Sequence, residues 1–372
     1  MRILVAPDKF KLSMPAWQVS SVIADVVRGY GHEVIECPLA DGGEGTCELL
    51  TKSCGGNTFY FTANDPLGRP VEAQIGCSPD GVTAFVDMSQ AAGLFRLSAE
   101  ERNPEVASTY GVGQLIAGAL DRGAKEFIIG CGGSATNDGG TGMAAALGYR
   151  FIDEHGSVFI PAGGTLSRIA LIDDSGVHPL IHSCHFTVIS DVNNPFTGPD
   201  GAAAVFSPQK GADKLMVDRL EAGMRNLERL MNKKPGFQMS LVRGAGAGGG
   251  FTGGAAFFLG AESRPGAEWV MDRTGFYRLL PSVDHVITGE GRLDSQSISG
   301  KTVGTVSGVC LRENKPFSVL CGQNSLEPDH LKQFGAMRVI SLSEYSGGVT
   351  SALNEPVRWL REAASLLVSG LD

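Results

Sequence analysis

Phe127-Ile-Ile-Gly-Cys-Gly-Gly-Ser-Ala-Thr-Asn-Asp-Gly-Gly-Thr-Gly-Met-Ala-Ala-Ala-Leu-Gly148 is the stretch on which the rest of the chain is organised. Phe127, Ile128 and Ile129 have the length and β-branching of a buried strand, and Met143 to Leu147 are good helix formers. Between them sit six glycines and four small hydroxyl or amide residues. Glycine permits positive φ and close backbone approach, and a loop of this kind entering a helix turns unpaired N–H groups outward. That geometry suits an anion, above all a phosphate. The plainer alternative is a tight strand-to-helix turn; Ser134, Thr136, Asn137 and Asp138 together favour a ligand loop.

The flanking sequence repeats the strand–loop–helix alternation. Ile3 to Ala6 reads as a strand, Val19, Val22, Ile23, Val26 and Val27 fall at helical spacing before Gly29 and Gly31, and Glu33 to Leu39 reads as the next strand. Residues 58–100 differ, with short alternating strands and turns at Pro66–Arg69 and Pro79–Gly81. A helix through Val112, Ile116 and Leu120 leads into the central strand, and His185 to Ile189 forms another. A long amphipathic helix runs from Leu215 to Met231, and Gly244 to Gly254 reads as a second glycine-rich loop. Near the end, strands at Asp284–Thr288, Phe317–Cys321 and Arg338–Leu342 alternate with helices after Gly300 and over Pro356–Val368. This pattern is α/β: an open parallel sheet built from both termini, with the middle inserted. The expected domains are 1–60 with 283–372, and 61–282. In open sheets ligands gather at the carboxyl ends of strands, so the polar loops that follow strands are the candidate site.

Composition narrows the function. The chain has 372 residues, a net charge of −9 and a pI near 5.3, which disfavours nucleic-acid or anionic-membrane surfaces. Eight cysteines show no C-x-x-C pair and no zinc-type spacing, as expected of reduced thiols. The N-terminal apolar run is too short for a signal peptide and no long apolar stretch occurs, so a soluble cytoplasmic protein is expected.

Familiar motifs fail on inspection. Ser299-Gly-Lys-Thr302 resembles the end of a Walker loop, but position 295 is serine where that loop needs glycine. Gly244, Gly246 and Gly249 satisfy a dinucleotide fingerprint that any glycine-saturated run would satisfy, and no clear acidic ribose partner follows. His178, His182 and His185 do not share a helical face across Pro179. What remains is a series of polar loops: Asp8-Lys-Phe-Lys11, Asp41-Gly-Gly-Glu44, Asp191-Val-Asn-Asn194, and Glu290, Arg292 and Asp294 with Lys301 behind them. Their bland readings are solvated charge, helix N-terminal acids, an Asx turn and a structural ion pair respectively. Together they supply what phosphoryl transfer needs: cations and backbone to hold phosphates, a carboxylate for Mg²⁺, and an aspartate to take a hydroxyl proton.

In order and spacing these loops resemble the type 1 glycerate kinase family of bacteria. The matching pieces are Ala-Pro-Asp-Lys-Phe-Lys at 6–11, Ala-Asp-Gly-Gly-Glu-Gly-Thr at 40–46, Pro-Leu-Gly at 66–68, Arg102-Asn-Pro104 with Thr109-Tyr-Gly111, and Gly-Gly-Ser-Ala-Thr-Asn-Asp-Gly-Gly at 132–140. Asp-Val-Asn-Asn-Pro at 191–195, Pro-Gln-Lys-Gly-Ala at 208–212, Gly-Ala-Gly-Ala-Gly-Gly at 244–249 and Ile-Thr-Gly-Glu-Gly-Arg-Leu-Asp at 287–294 complete the series. The resemblance implies a flavodoxin-like domain with a second, restriction-enzyme-like α/β domain inserted. It implies ATP- and Mg²⁺-dependent phosphorylation of D-glycerate, with the family leaning towards 2-phosphoglycerate. On the same basis Asp191 is the expected general base, and Lys11 and Arg292 contact the substrate carboxylate or the transferring phosphate. Asp8, Lys9, Ser13 and Asn193 become substrate contacts. Gly132, Gly133, Ser134, Thr136 and Asn137 become the phosphate cradle, and Asp138 or Asp294 the metal contact. A homo-oligomer is compatible with it. The chain departs from the family pattern at Lys9 (usually serine), Leu12, Asp87, Ser190, Phe196 and Ser207, which bears on substrate more than on reaction class. Alternatives are a kinase of another small hydroxy acid and a catalytically silent nucleotide-binding regulator.

Overall fold

A computed structural model describes residues 1–298 and 301–371; Ser299 and Gly300 of the Walker-like tetrapeptide lie outside the described residues. The chain divides into two compact units, Met1–Asp41 with Gly266–Asp372, and Gly42–Pro265. They are called here the terminal and the central unit. The sequence expectation put these transitions at residues 60 and 282. The helix Thr46–Ser53 packs on strands of the central unit, whereas the helix Gly266–Arg273 packs on Thr302–Arg312 of the terminal unit.

The terminal unit is built on five parallel strands: Arg2–Val5, Glu33–Glu36, His285–Leu293, Phe317–Asn324 and Arg338–Ser341. Counted along this unit their order in the sheet is 2-1-3-4-5, the flavodoxin-like doubly wound order. The helix Ala16–Gly29 forms because Val19, Val22, Ile23, Val26 and Val27 recur on one face, and all five are buried. Gly31, at φ +81°, lets the chain turn back into the second strand. The core joins that face to Ile3, Val5, Ile287, Leu320 and the buried face of Pro356–Val368.

The central unit has a six-stranded mixed sheet whose strands follow chain order in space: Asn57–Asn64, Pro70–Cys77, Thr83–Asp87, Glu126–Gly130, His185–Ile189 and Glu262–Arg264. The first three are antiparallel neighbours and the last four are parallel. Phe127, Ile128, Ile129, Val188 and Ile189, which alternate between the two faces, are buried, as strands covered on both faces require, and Phe127 stacks on Phe186 at 4.7 Å. A separate three-stranded antiparallel sheet joins Arg150–Ile152, Val158–Phe159 and Leu171–Asp173. The long helix Lys214–Met231 is capped by Asp213, whose side chain accepts the Met216 N–H at 2.8 Å, and buries Leu220, Met224, Leu227 and Met231.

Two elements differ from the sequence reading. Gly244–Gly254 is not a loop throughout: Gly248, Gly249 and Gly250 have φ of 66°, 73° and 85°, and the chain is helical from Phe251 to Leu259, with Phe251 and Phe258 buried. Three successive left-handed glycines break the helical path, and the apolar run beyond them restores it. The strand read as ending near Thr288 continues to Leu293, so Glu290 and Arg292 lie in a strand rather than a loop. Glycines at 289 and 291 hid it, yet each lets another backbone approach. A Cβ at Gly289 would lie 2.2 Å from Leu320 O, and one at Gly291 2.7 Å from Lys11 N.

Candidate active site

In the central unit the strand Glu126–Gly130 ends in the glycine-rich loop. The loop is packed backbone against backbone. A Cβ at Gly132 would sit 2.6 Å from Gly43 Cα, and one at Gly249 only 1.9 Å from Thr136 O. The two glycine-rich segments are therefore pressed together, and the Gly139 N–H donates to Gly249 O at 3.1 Å. The helix Thr141–Ala146 does not turn its first N–H groups outward as the sequence reading expects. Those of Gly140 and Gly142 donate to the Asp138 carboxylate at 3.1 and 3.2 Å, and Thr109 adds its N–H and its hydroxyl, both at 2.8 Å. Asp138 is fully buried and already occupies the anion's place at this helix start. Burial pushes its carboxyl pKa up, and the Thr109, Gly140 and Gly142 donors pull it down. With four donors on two oxygens, Asp138 is a poor metal contact.

Polar capacity remains at the middle of the loop. Lys210, 2% exposed, donates to Ser134 Oγ at 2.9 Å and to Thr136 O at 2.7 Å. Burial, set against the nearby Asp138 and Cys131, brings its pKa down to about 8. Thr136 Oγ1 and both side-chain polar atoms of Asn137 are buried and have no hydrogen-bond partner. Such groups are uncommon in folded proteins and mark a place for a polar ligand or water.

The next strand of this sheet, His185–Ile189, leads to Asp191, which is half-buried. Exposed Asn193 follows, and its Oδ1 accepts from Arg243 Nε at 3.0 Å. A cavity of about 380 Å³ lined by Asn193, Phe196, Thr197, Glu228 and Arg243 adjoins this turn. Strands 83–87, 126–130 and 185–189 are parallel, so Asp87, the glycine-rich loop and Asp191 all stand at one sheet edge.

The terminal unit carries charged side chains at the equivalent edge. Buried Asp8 accepts the Lys9 N–H at 2.6 Å and the Thr302 hydroxyl at 2.5 Å. Burial raises its pKa, and the Lys9 ammonium lowers it. Lys9 Nζ lies 3.2 Å from Asp41 and 3.6 Å from Asp8. Lys11 is exposed beside Leu12, which is 92% exposed at φ +69°, and Ser13 Oγ donates to Phe10 O, closing that turn. Arg292 is exposed, its Nε 3.8 Å from half-buried Asp294. On the same strand as Arg292, Glu290 is buried, its Oε1 without a partner, and burial pushes its pKa up to about 8, assisted by Asp8 and Asp294.

The structure thus brings Asp8, Lys9, Lys11, Ser13, Arg292 and Asp294 to one edge of the terminal unit. It brings Gly132 to Asp138, Asp191 and Asn193 to one edge of the central unit. Sequence reasoning missed Lys210 and Thr109, and left Glu290 without a role. Lys210 lay inside the quoted Pro-Gln-Lys-Gly-Ala segment, but nothing in its neighbours marks that lysine as buried. Among the described residues no three His, Cys, Asp or Glu side chains form a metal-binding group.

The match to known proteins covers the whole chain. The model of the glycerate kinase family matches residues 3–371. The chain belongs to the glycerate kinase family. It is 38% identical to the glycerate kinase of Bacillus subtilis, over 98% of this chain and 96% of that protein. It is also 38% identical to the glycerate 2-kinase of Escherichia coli, over 95% of this chain and 93% of that protein. A crystal structure of a protein described as glycerate kinase 2 from Salmonella typhimurium LT2 superposes with a TM-score of 0.84, covering 100% of this family member and 98% of that chain at 36% identity. No described helix of this glycerate kinase family member is long and apolar enough to cross a membrane.

Proposed function

We propose that this chain is a glycerate kinase that transfers the γ-phosphoryl group of ATP to the secondary hydroxyl of D-glycerate, giving 2-phosphoglycerate. The observation that carries this reading is the family match over residues 3–371, to which the E. coli relative named a 2-kinase adds the choice of hydroxyl. The side chains fit the chemistry. Asp191, at a strand's carboxyl end, is assigned as the general base that receives the acceptor proton. Lys11 and Arg292, both exposed, are assigned to the substrate carboxylate or the transferring phosphate. Asp8, Lys9, Ser13 and Asn193 complete the acceptor contacts. Gly132, Gly133, Ser134, Thr136 and Asn137 are assigned to the phosphates, with the polar capacity concentrated in Ser134 to Asn137.

Mg²⁺ bound with the nucleotide would neutralise charge developing on the β- and γ-oxygens. Mg²⁺ usually takes one or two carboxylates, with water and substrate phosphates as the remaining ligands. Half-buried Asp294 fits that need, whereas Asp138, saturated by Thr109, Gly140 and Gly142, is assigned a structural role. A cytoplasmic enzyme is the corresponding location.

A kinase of another small hydroxy acid is the second reading. It is favoured by Lys9, which stands where the family usually has serine and is engaged by Asp41 and Asp8. An acceptor panel with MgATP separates the two. D-glycerate is expected to give the highest kcat/KM among small hydroxy acids, and a tenfold preference for another acid would replace the first reading by the second.

A further inference from the structure

A lysine nine-tenths or more buried normally has a carboxylate beside it, because an uncompensated charge in a low-dielectric interior is expensive. Lys210 does not follow this rule. Its two hydrogen-bond partners, Ser134 Oγ and Thr136 O, are neutral, and among the described residues no ion pair joins it to an acid. The titratable groups that act on it are Asp138 and Cys131. The Asp138 carboxylate, held by the Thr109, Gly140 and Gly142 donors, attracts Lys210 without an ion-pair contact, and the Cys131 thiol, raised by burial, stays neutral. An ammonium group has three protons, and two are used. Next to it on the same loop stand Thr136 Oγ1 and the Asn137 amide, buried and without partners. A buried cation with no carboxylate in contact and buried polar groups without partners, gathered on one loop, fit an anion site.

We infer that Lys210 is the fixed cation for a phosphate oxyanion of ATP held on the Ser134–Asn137 segment, and that nucleotide binding is linked to protonation of this lysine. The inference rests on the proposed kinase reading and deepens it. Without the anion, burial holds the Lys210 pKa near 8, so part of the population is neutral in mildly alkaline solution. An incoming phosphate favours the charged form and draws a proton from solvent. The sign follows: ATP binds with no proton uptake well below pH 8, with uptake above it, and more weakly as pH rises further.

The test is calorimetric titration of the full-length protein with ATP at about pH 7 and about pH 8.5, in two buffers of different ionisation enthalpy. A terminal phosphate, with its second pKa of about 6, is already ionised at the higher pH. The wild type is expected to take up about half a proton or more at the higher pH and almost none at the lower. Lys210→Met and Lys210→Gln are expected to bind ATP about 10- to 100-fold more weakly, the fold-change of one lost charged hydrogen bond, with no uptake at either pH. Failure of the wild type to bind ATP would overturn the kinase reading and this inference with it. Binding by the wild type without proton uptake, or equal affinity and equal uptake in a folded Lys210 variant, would overturn the inference and leave the reading intact. Should neither variant fold, the wild-type proton count decides. The same titration with D-glycerate separates the two anions: uptake linked to glycerate instead of ATP would overturn the assignment to phosphate.

Discussion

The carboxyl edges of the two sheets use their residues differently. In the terminal unit the strands end in ionisable side chains that act on one another: Asp8 with Lys9 and Thr302, Lys9 with Asp41, and Glu290 under the influence of Asp8 and Asp294. In the central unit the middle strand ends in glycine pressed on glycine, with Gly132 against Gly43 and Gly249 against Thr136, over a buried cation. In the first, the residue type carries the chemistry. In the second, the missing side chain does, because only bare backbone can come that close. Glycines that look like a ligand loop are here spent largely on packing, and the binding capacity falls on the few polar side chains between them.

Asp191 is the side chain on the central unit's edge assigned to chemistry, so its removal tests that side of the contrast first. Asp191→Asn is expected to lower kcat by about 10²–10⁴-fold, as loss of a general base does, with an unchanged melting temperature. Turnover within a few-fold of wild type would take the general-base role from Asp191.

Backbone approach comes next. Gly249→Ala adds a Cβ 1.9 Å from Thr136 O at φ +73°, and a loss of about 3 kcal/mol or more in unfolding free energy is expected. Gly68→Ala is the control. Its φ of +83° is equally unfavourable, but nothing lies within 4 Å of the new Cβ, so about 1–2 kcal/mol is expected. Equal losses in denaturant titrations would show that close packing of the two glycine segments adds nothing beyond backbone strain.

A smaller effect sharpens the account of the terminal unit. Burial pushes the Glu290 pKa up to about 8 from the usual glutamate value of 4.5, so the folded state holds its proton longer. Stability from this group is complete below about pH 4.5 and is lost as pH rises through 8. Glu290→Gln, unable to ionise, should lack that slope. The variant's stability relative to wild type should therefore rise between acid and alkaline pH, by something on the order of a few kcal/mol. Parallel pH–stability curves would mean that Glu290 is ionised without penalty in the fold.

Much of the fold was legible because its signals are local. The apolar runs at Ile3, Phe127 and His185–Ile189 and the helical spacing of Val19–Val27 and Leu215–Met231 each appear as the expected element. The parallel sheet of the terminal unit followed from the strand–helix alternation at both termini, and its flavodoxin-like order from the family resemblance. What stayed hidden depends on contacts distant in sequence. Asp138 looked like a ligand-facing acid, but Thr109, 29 residues earlier, helps saturate it. Lys210 looked like any lysine in a turn, and only the fold, 74 residues from Thr136, shows it buried under the loop. Glu290 and Arg292 looked like loop residues because glycines in a strand read as breaks, although here they admit neighbouring backbone.

The most direct test of the central claim is the ³¹P NMR spectrum of the product formed from MgATP and D-glycerate. A phosphomonoester signal split by one proton identifies transfer to the secondary hydroxyl and 2-phosphoglycerate, the expected result. Splitting by two protons would mean 3-phosphoglycerate and contradict the assigned hydroxyl. ATP bound by folded protein with no phosphoglycerate formed would contradict the claim itself.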